Sequence, residues 1–114
     1  MHELGVTFHI MDSLEKTAAE NNVEEITKVT LELGEVSTVI ESYLINCWKW
    51  AAKKRPLFEH SELIVEKLPA ITYCEDCQKT YPTTRFGKIC PYCQSKKTYL
   101  VQGNEFNIKE IEVR

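Results

Sequence analysis

Two short pairs of cysteines constrain this chain more than any other feature. Cys74-Glu-Asp-Cys77 and Cys90-Pro-Tyr-Cys93 are Cys-x-x-Cys pairs separated by twelve residues, the spacing of a zinc ribbon or treble-type knuckle. Each pair sets two sulfurs on one tight turn. The loop between them, with Pro82 and Gly87, lets the second turn fold back so that four thiolates complete a tetrahedron. Such a site has no open coordination position and is structural rather than catalytic. Iron in a rubredoxin-like site is the chemical rival, because softness and geometry suit both ions, and zinc is the ion expected.

The surroundings of the pairs agree with a metal-held module. Residues 70–100 hold all four paired cysteines, four of the five tyrosines and few aliphatic side chains, so the segment cannot build an apolar core of its own. Cys90-Pro-Tyr-Cys93 also spells a glutaredoxin-type dithiol. A redox dithiol, however, starts a helix that stabilises its thiolate, and here Gln94-Ser95-Lys96-Lys97 follows rather than an amphipathic pattern. The fifth cysteine, Cys47, falls in an apolar stripe and reads as core packing.

Elsewhere the hydrophobic periodicity is that of a small α+β domain. Leu4, Phe8, Met11, Leu14 and Ala18 line one face of a 3.6-residue repeat, predicting a helix that ends at Asn21 and Asn22. Val29, Leu31 and Leu33 alternate with polar neighbours, predicting a strand over 26–33 closed by Gly34. Thr38 or Ser37 is the expected cap of a second helix with Ile40, Leu44, Cys47, Trp48 and Ala51 on its apolar face. Lys53, Lys54 and Arg55 collect where the helix dipole is negative, and Pro56 stops the helix. Strands are expected over 62–68 and 105–114, the latter with a β-bulge near Lys109, because its alternation slips between Ile108 and Ile111. No internal repeat or low-complexity linker stands out.

The fold class expected is therefore α+β: a small mixed sheet of about three strands packed by two helices, with an inserted four-cysteine zinc-ribbon-like module. The expected division is 1–69 plus 101–114 for the α+β domain and 70–100 for the zinc-binding module. No stretch approaches the roughly 18 apolar residues of a membrane span, and the N-terminus lacks a signal-peptide pattern, so a cytoplasmic protein is expected.

Charge bears on partners. The net charge is −3, yet residues 70–100 carry five basic and two acidic side chains. Lys79, Arg85, Lys88, Lys96 and Lys97 around Tyr73, Tyr81 and Tyr99 would suit a zinc-ribbon nucleic-acid or protein-binding adaptor. Four zinc-bound thiolates cancel most of that local charge, leaving a weak grip on phosphates, so no nucleic-acid partner is expected.

The chain opens Met1-His2-Glu3. A free amine, the His2 amide nitrogen and the His2 imidazole can close fused chelate rings, a nitrogen field that favours nickel(II) or copper(II) over zinc. Taken alone, the same residues also fit a solvated chain end. His9 and His60 carry no assignment.

Met1-His2-Glu3 opening a helix, Leu33-Gly34-Glu35 closing a strand, the two cysteine pairs, and Gln102-Gly103-Asn104-Glu105 leading into a final strand together resemble the HypA/HybF family of hydrogenase nickel-incorporation proteins. The resemblance covers essentially the whole chain. It implies a non-enzymatic nickel metallochaperone, with nickel held by Met1, His2 and Glu3 and Zn2+ by Cys74, Cys77, Cys90 and Cys93. It also implies a HypB-type GTPase and the hydrogenase large subunit precursor as partners, with urease accessory proteins as a further class. One departure concerns an aspartate that some members carry early in the second helix near the nickel. The corresponding place is Ile40, with Glu41 beside it, and a carboxylate there also fits the helix dipole.

Overall fold

The computed structural model describes residues 3–114. In chain order its elements are α1 (Glu3–Glu20), β1 (Ile26–Gly34), α2 (Glu41–Ala52), a single 3-10 turn at Pro56–Phe58, β2 (Glu62–Leu68), β3 (Ile71–Cys74), β4 (Thr80–Pro82), α3 (Thr83–Phe86), β5 (Thr98–Gln102) and β6 (Phe106–Val113). The strands form two three-stranded sheets, ordered β2-β1-β6 and β4-β3-β5. The α+β class expected from the periodicity is therefore the class observed. The chain divides into two compact units.

The first unit comprises the chain up to Leu31, Thr38–Glu66 and Asn107–Arg114. On α1 the apolar stripe buries Met11, Leu14 and Ala18, joined by Ile10 and Thr7. Thr7 can be buried because its hydroxyl donates to the Glu3 carbonyl one turn earlier, at 2.9 Å. Asn22 takes a left-handed φ of 56°, and the Val23 N–H reaches back to the Ala18 carbonyl at 3.0 Å, satisfying an end carbonyl as the two asparagines lead one to expect.

The start of α2 departs from the expectation. Its N-cap is Ile40 and no side chain caps it, so neither Ser37 nor Thr38 has that role. Ile40 is also 49% exposed and does not belong to the inward stripe, which runs through Leu44, Trp48, Ala51 and Ala52. Instead, the Ile40 N–H donates to the Glu3 carboxylate at 3.1 Å, an anion at a helix N-terminus. Trp48 packs edge-on against Phe58 with centroids 5.5 Å apart, and its indole N–H donates to Ser61 at 3.0 Å. That contact ties the turn after Pro56 to the core.

Past the end of α2, Arg55 bridges Asp12 and Glu15 of α1 while its guanidinium lies 5.0 Å from the Phe8 ring centre. Half-exposed pairs of this kind contribute about 1 kcal/mol together with the cation–π contact. Arg55→Ala is expected to lower the unfolding free energy by that amount, seen as a lower urea midpoint at unchanged slope, and by less at high salt.

On β6, Phe106 and Ile111 are half-buried while Ile108 and Val113 are 41% and 46% exposed. Half-burial of both Phe106 and Ile111, an odd number of residues apart, departs from strict two-residue alternation, in line with the slip expected between Ile108 and Ile111.

The second unit comprises Glu32–Ser37 and Lys67–Phe106. β3 pairs antiparallel with β4, Tyr73 opposite Thr80, and with β5, Tyr73 opposite Tyr99. This sheet was not resolved by periodicity, because its strands are three to five residues long. Its small core consists of Cys74, Tyr81 and Cys90, with Cys77 packed against them. The Tyr81 hydroxyl donates to the Gly87 carbonyl at 2.8 Å, fixing the loop between the cysteine pairs.

Candidate metal centre

The four sulfurs meet because two turns are built alike. In the first, the Cys74 N–H donates to the Lys79 carbonyl at 3.0 Å and the Gln78 N–H to the Cys74 carbonyl at 2.9 Å. In the second, the Cys90 N–H donates to Ser95 at 3.0 Å and the Gln94 N–H to Cys90 at 2.9 Å. The residue after each pair, Gln78 or Gln94, has a left-handed φ of 59° or 63°. A non-glycine residue in that region carries a cost, and its recurrence at equivalent places marks the two turns as one device used twice. Cys-x-x-Cys-Gln, written twice in the sequence, was the legible trace of this local repeat.

A side chain and the backbone tie the turns together. Ser95 hydrogen-bonds the Asp76 carboxylate, the Lys97 N–H donates to the Ser95 hydroxyl at 3.0 Å, and the Glu75 N–H donates to the Lys97 carbonyl at 2.9 Å.

The Sγ atoms of Cys74, Cys77, Cys90 and Cys93 all lie within 4.8 Å of one another. Cys74 and Cys93 are 3.6 Å apart, as are Cys77 and Cys90, too far for a disulfide of about 2.05 Å. A tetrahedral ion with metal–sulfur bonds of about 2.3 Å sets its sulfurs about 3.8 Å apart. The donor set therefore fits a four-coordinate thiolate-loving ion.

Its electrostatics point the same way. Desolvation pushes the Cys77 thiol up against the pull of the Lys79 N–H. At Cys90 desolvation also pushes upward, but the N–H groups of Cys93 and Tyr92 and the neighbouring thiols draw it down to about 7. Cys93 has the Ser95 N–H favouring its thiolate, yet desolvation and the other three sulfurs push it up to about 12. Like charges crowded together cannot all ionise without a cation among them.

The remaining candidates lie elsewhere. Met1 and His2 lie outside the described residues. Glu3 begins α1, and its carboxylate accepts the Ile40 N–H, so the start of α1 sits beside the start of α2, where Glu41 is half-buried. Nothing in the sequence pattern announced that contact. His9 and His60 are exposed, and Cys47 is half-buried on α2.

The whole chain matches a known family. A family model described as hydrogenase/urease nickel incorporation, metallochaperone, hypA aligns with residues 1–113. The chain belongs to the HypA family. Its relatives include the hydrogenase maturation factor HypA of Psychromonas ingrahamii, 33% identical and covering 99% of this chain and 98% of that protein. That of Geobacter metallireducens is 32% identical and covers 99% of each. The solution structure of the Ni metallochaperone HypA from Helicobacter pylori superposes with a TM-score of 0.71 at 23% identity, over 99% of this chain and 97% of that one. That likeness shows a shared HypA fold. Among the described residues, no helix is long and apolar enough to cross a membrane.

Proposed function

We propose that this chain is a cytoplasmic, non-enzymatic nickel metallochaperone serving nickel–iron hydrogenase maturation. Nickel(II), the cargo, is captured at Met1, His2 and Glu3 and passed by ligand exchange to partner proteins. The observation that carries the reading is the family match along 1–113. A second supports it locally: the Glu3 carboxylate is engaged at the N-terminus of α2, which holds the first turn of α1 against the start of α2.

In this reading 1–69 plus 101–114 form the nickel-binding domain and 70–100 the zinc-binding module. Cys74, Cys77, Cys90 and Cys93 would hold Zn2+, whose bonds supply folding energy to the module and no chemistry. The partners are a HypB-type GTPase, the hydrogenase large subunit precursor and, as a further class, urease accessory proteins.

Calorimetric titration of untagged protein with nickel tests this. His2→Ala, and a version extended by residues ahead of Met1, are each expected to abolish uptake while zinc content stays unchanged. Nickel affinity should also fall as pH drops through the histidine range, where imidazole protonates. Identical titrations for wild type and both variants would remove the N-terminal assignment.

A further inference from the structure

α2 carries a second apolar stripe that its own unit leaves uncovered. Ile40, Tyr43 and Trp50 are 49%, 56% and 50% exposed, and half-buried Cys47 lies between the last two. Single exposed apolar residues are ordinary on a protein surface. A run at 43, 47 and 50 within α2 is different, because steps of four and three residues are the a/d alternation that lines one seam of a helix for another helix. The inward stripe of Leu44, Trp48 and Ala51 occupies an adjacent face, so α2 presents two seams and the core uses one.

The far end of the seam is aromatic and basic. The Phe8 ring of α1 stands edge-on to Trp50 with centroids 6.2 Å apart, widening the apolar strip. Lys54 lies over the Trp50 ring at 4.7 Å. Lys49 and Lys53 are exposed and make no ion pair among the described residues. Arg55, the next cation, is neutralised by Asp12 and Glu15; these lysines are not. In a chain whose net charge is −3, three lysines around an exposed tryptophan form a local positive field.

We propose that this stripe is a docking seam for an amphipathic helix of an acidic partner protein. The apolar positions of that helix pack against Tyr43, Cys47 and Trp50, and its flanking carboxylates face Lys49, Lys53 and Lys54. A large aromatic side chain ringed by polar groups is the composition of an interface hot spot. A second copy of this chain is the poorer occupant, because α2 against α2 doubles a surplus of positive charge. The inference stands apart from the nickel assignment, since none of its residues belongs to the proposed nickel or zinc sites.

The probe is a synthetic three-heptad helix with leucine at a and d and glutamate on the flanks, compared with one flanked by lysine. Trp48 is already buried, so a blue shift of tryptophan emission on adding the acidic peptide reports Trp50. Tyr43→Ala, read by the same shift, and Trp50→Ala, read by calorimetry because it removes the reporter, are each expected to weaken binding about tenfold or more. The pair Lys49→Glu, Lys53→Glu should reverse the preference toward the lysine-flanked peptide, an outcome that misfolding cannot imitate. Nickel titrations run on the same variants should be unchanged, which separates this seam from the carrier site. Equal binding of the two peptides, or variants that bind the acidic peptide like wild type, would overturn the proposal. So would sedimentation showing that the free chain dimerises through this face.

Discussion

Replacing Cys90 with serine is expected to strip the metal from the second unit and unfold Lys67–Phe106, while α1 and α2 keep their helicity. The reason lies in what that unit has for a core. Its buried cluster around the sulfurs is Cys74, Tyr81 and Cys90, with Cys77 alongside, so three of its four members are ligands. Metal binding in comparable short modules supplies on the order of 10–16 kcal/mol, far more than one tyrosine ring can contribute. Backbone amide signals read by NMR would show the loss: those of the second unit should collapse toward random-coil positions, and a strong chelator should do the same to wild type. A second unit that stays folded once its metal is gone would contradict this account.

The same site should release its ion in acid. With the metal gone the second unit is unfolded, and an ordinary cysteine thiol, with a pKa of about 8.5, holds its proton at neutral pH. Loading the metal expels those protons, so apparent affinity should fall steeply with pH below about 8.5 and level off above it. Competition with a chromophoric chelator across that value measures the change of slope.

What the sequence revealed and what it hid follow one physical division. Long periodic segments were legible because burial enforces the period: α1, β1, β2 and β6 lie within a residue or so of the expected spans, and α2 is about three residues shorter at each end. The cysteine spacing foretold the sulfur cluster, because two tight turns are the simplest way to bring four thiolates together. The start of α2 was misread because capping rules score the side chain before the helix. Here the acceptor at Ile40 comes from Glu3, thirty-seven residues away in sequence. The second sheet was hidden for a similar reason. Its strands are too short to show alternation, and the residues that pin it, such as Tyr81 on the Gly87 carbonyl, act through contacts that no local pattern displays.

Gly34→Ala should be among the most damaging single-atom-scale changes outside the cysteines. Gly34 closes β1, and its N–H donates to the Glu105 carbonyl at 2.8 Å. Two residues on, the Val36 N–H donates to the Gly103 carbonyl at 2.8 Å, which draws that carbonyl over the Gly34 α-carbon. A Cβ built on Gly34 would lie 2.5 Å from the Asn104 nitrogen and closer still to the Gly103 carbonyl. Both obstacles are backbone, and neither is free to move. The Gly103 N–H is held by the Glu105 carboxylate at 2.8 Å, the Ala70 N–H by Glu35 at 2.8 Å, and the Pro69 carbonyl by Gln102 at 2.8 Å. Gly103 is itself confined, with φ at 128° and a would-be Cβ 2.6 Å from the Ala70 α-carbon. Leu33-Gly34-Glu35 and Gln102-Gly103-Asn104-Glu105 thus encode a close backbone crossing locked by two carboxylates. Overpacking against side chains that can shift costs about 1–3 kcal/mol; against pinned backbone the expected loss is about 3 kcal/mol or more. Gly103→Ala should cost a similar amount, and the double variant less than the sum, because one displaced crossing relieves both clashes. Thermal and urea unfolding of the metal-loaded protein would measure it. A Gly34→Ala protein within about 0.5 kcal/mol of wild type, the range of an ordinary surface change, would mean that the crossing yields and is not what these motifs preserve.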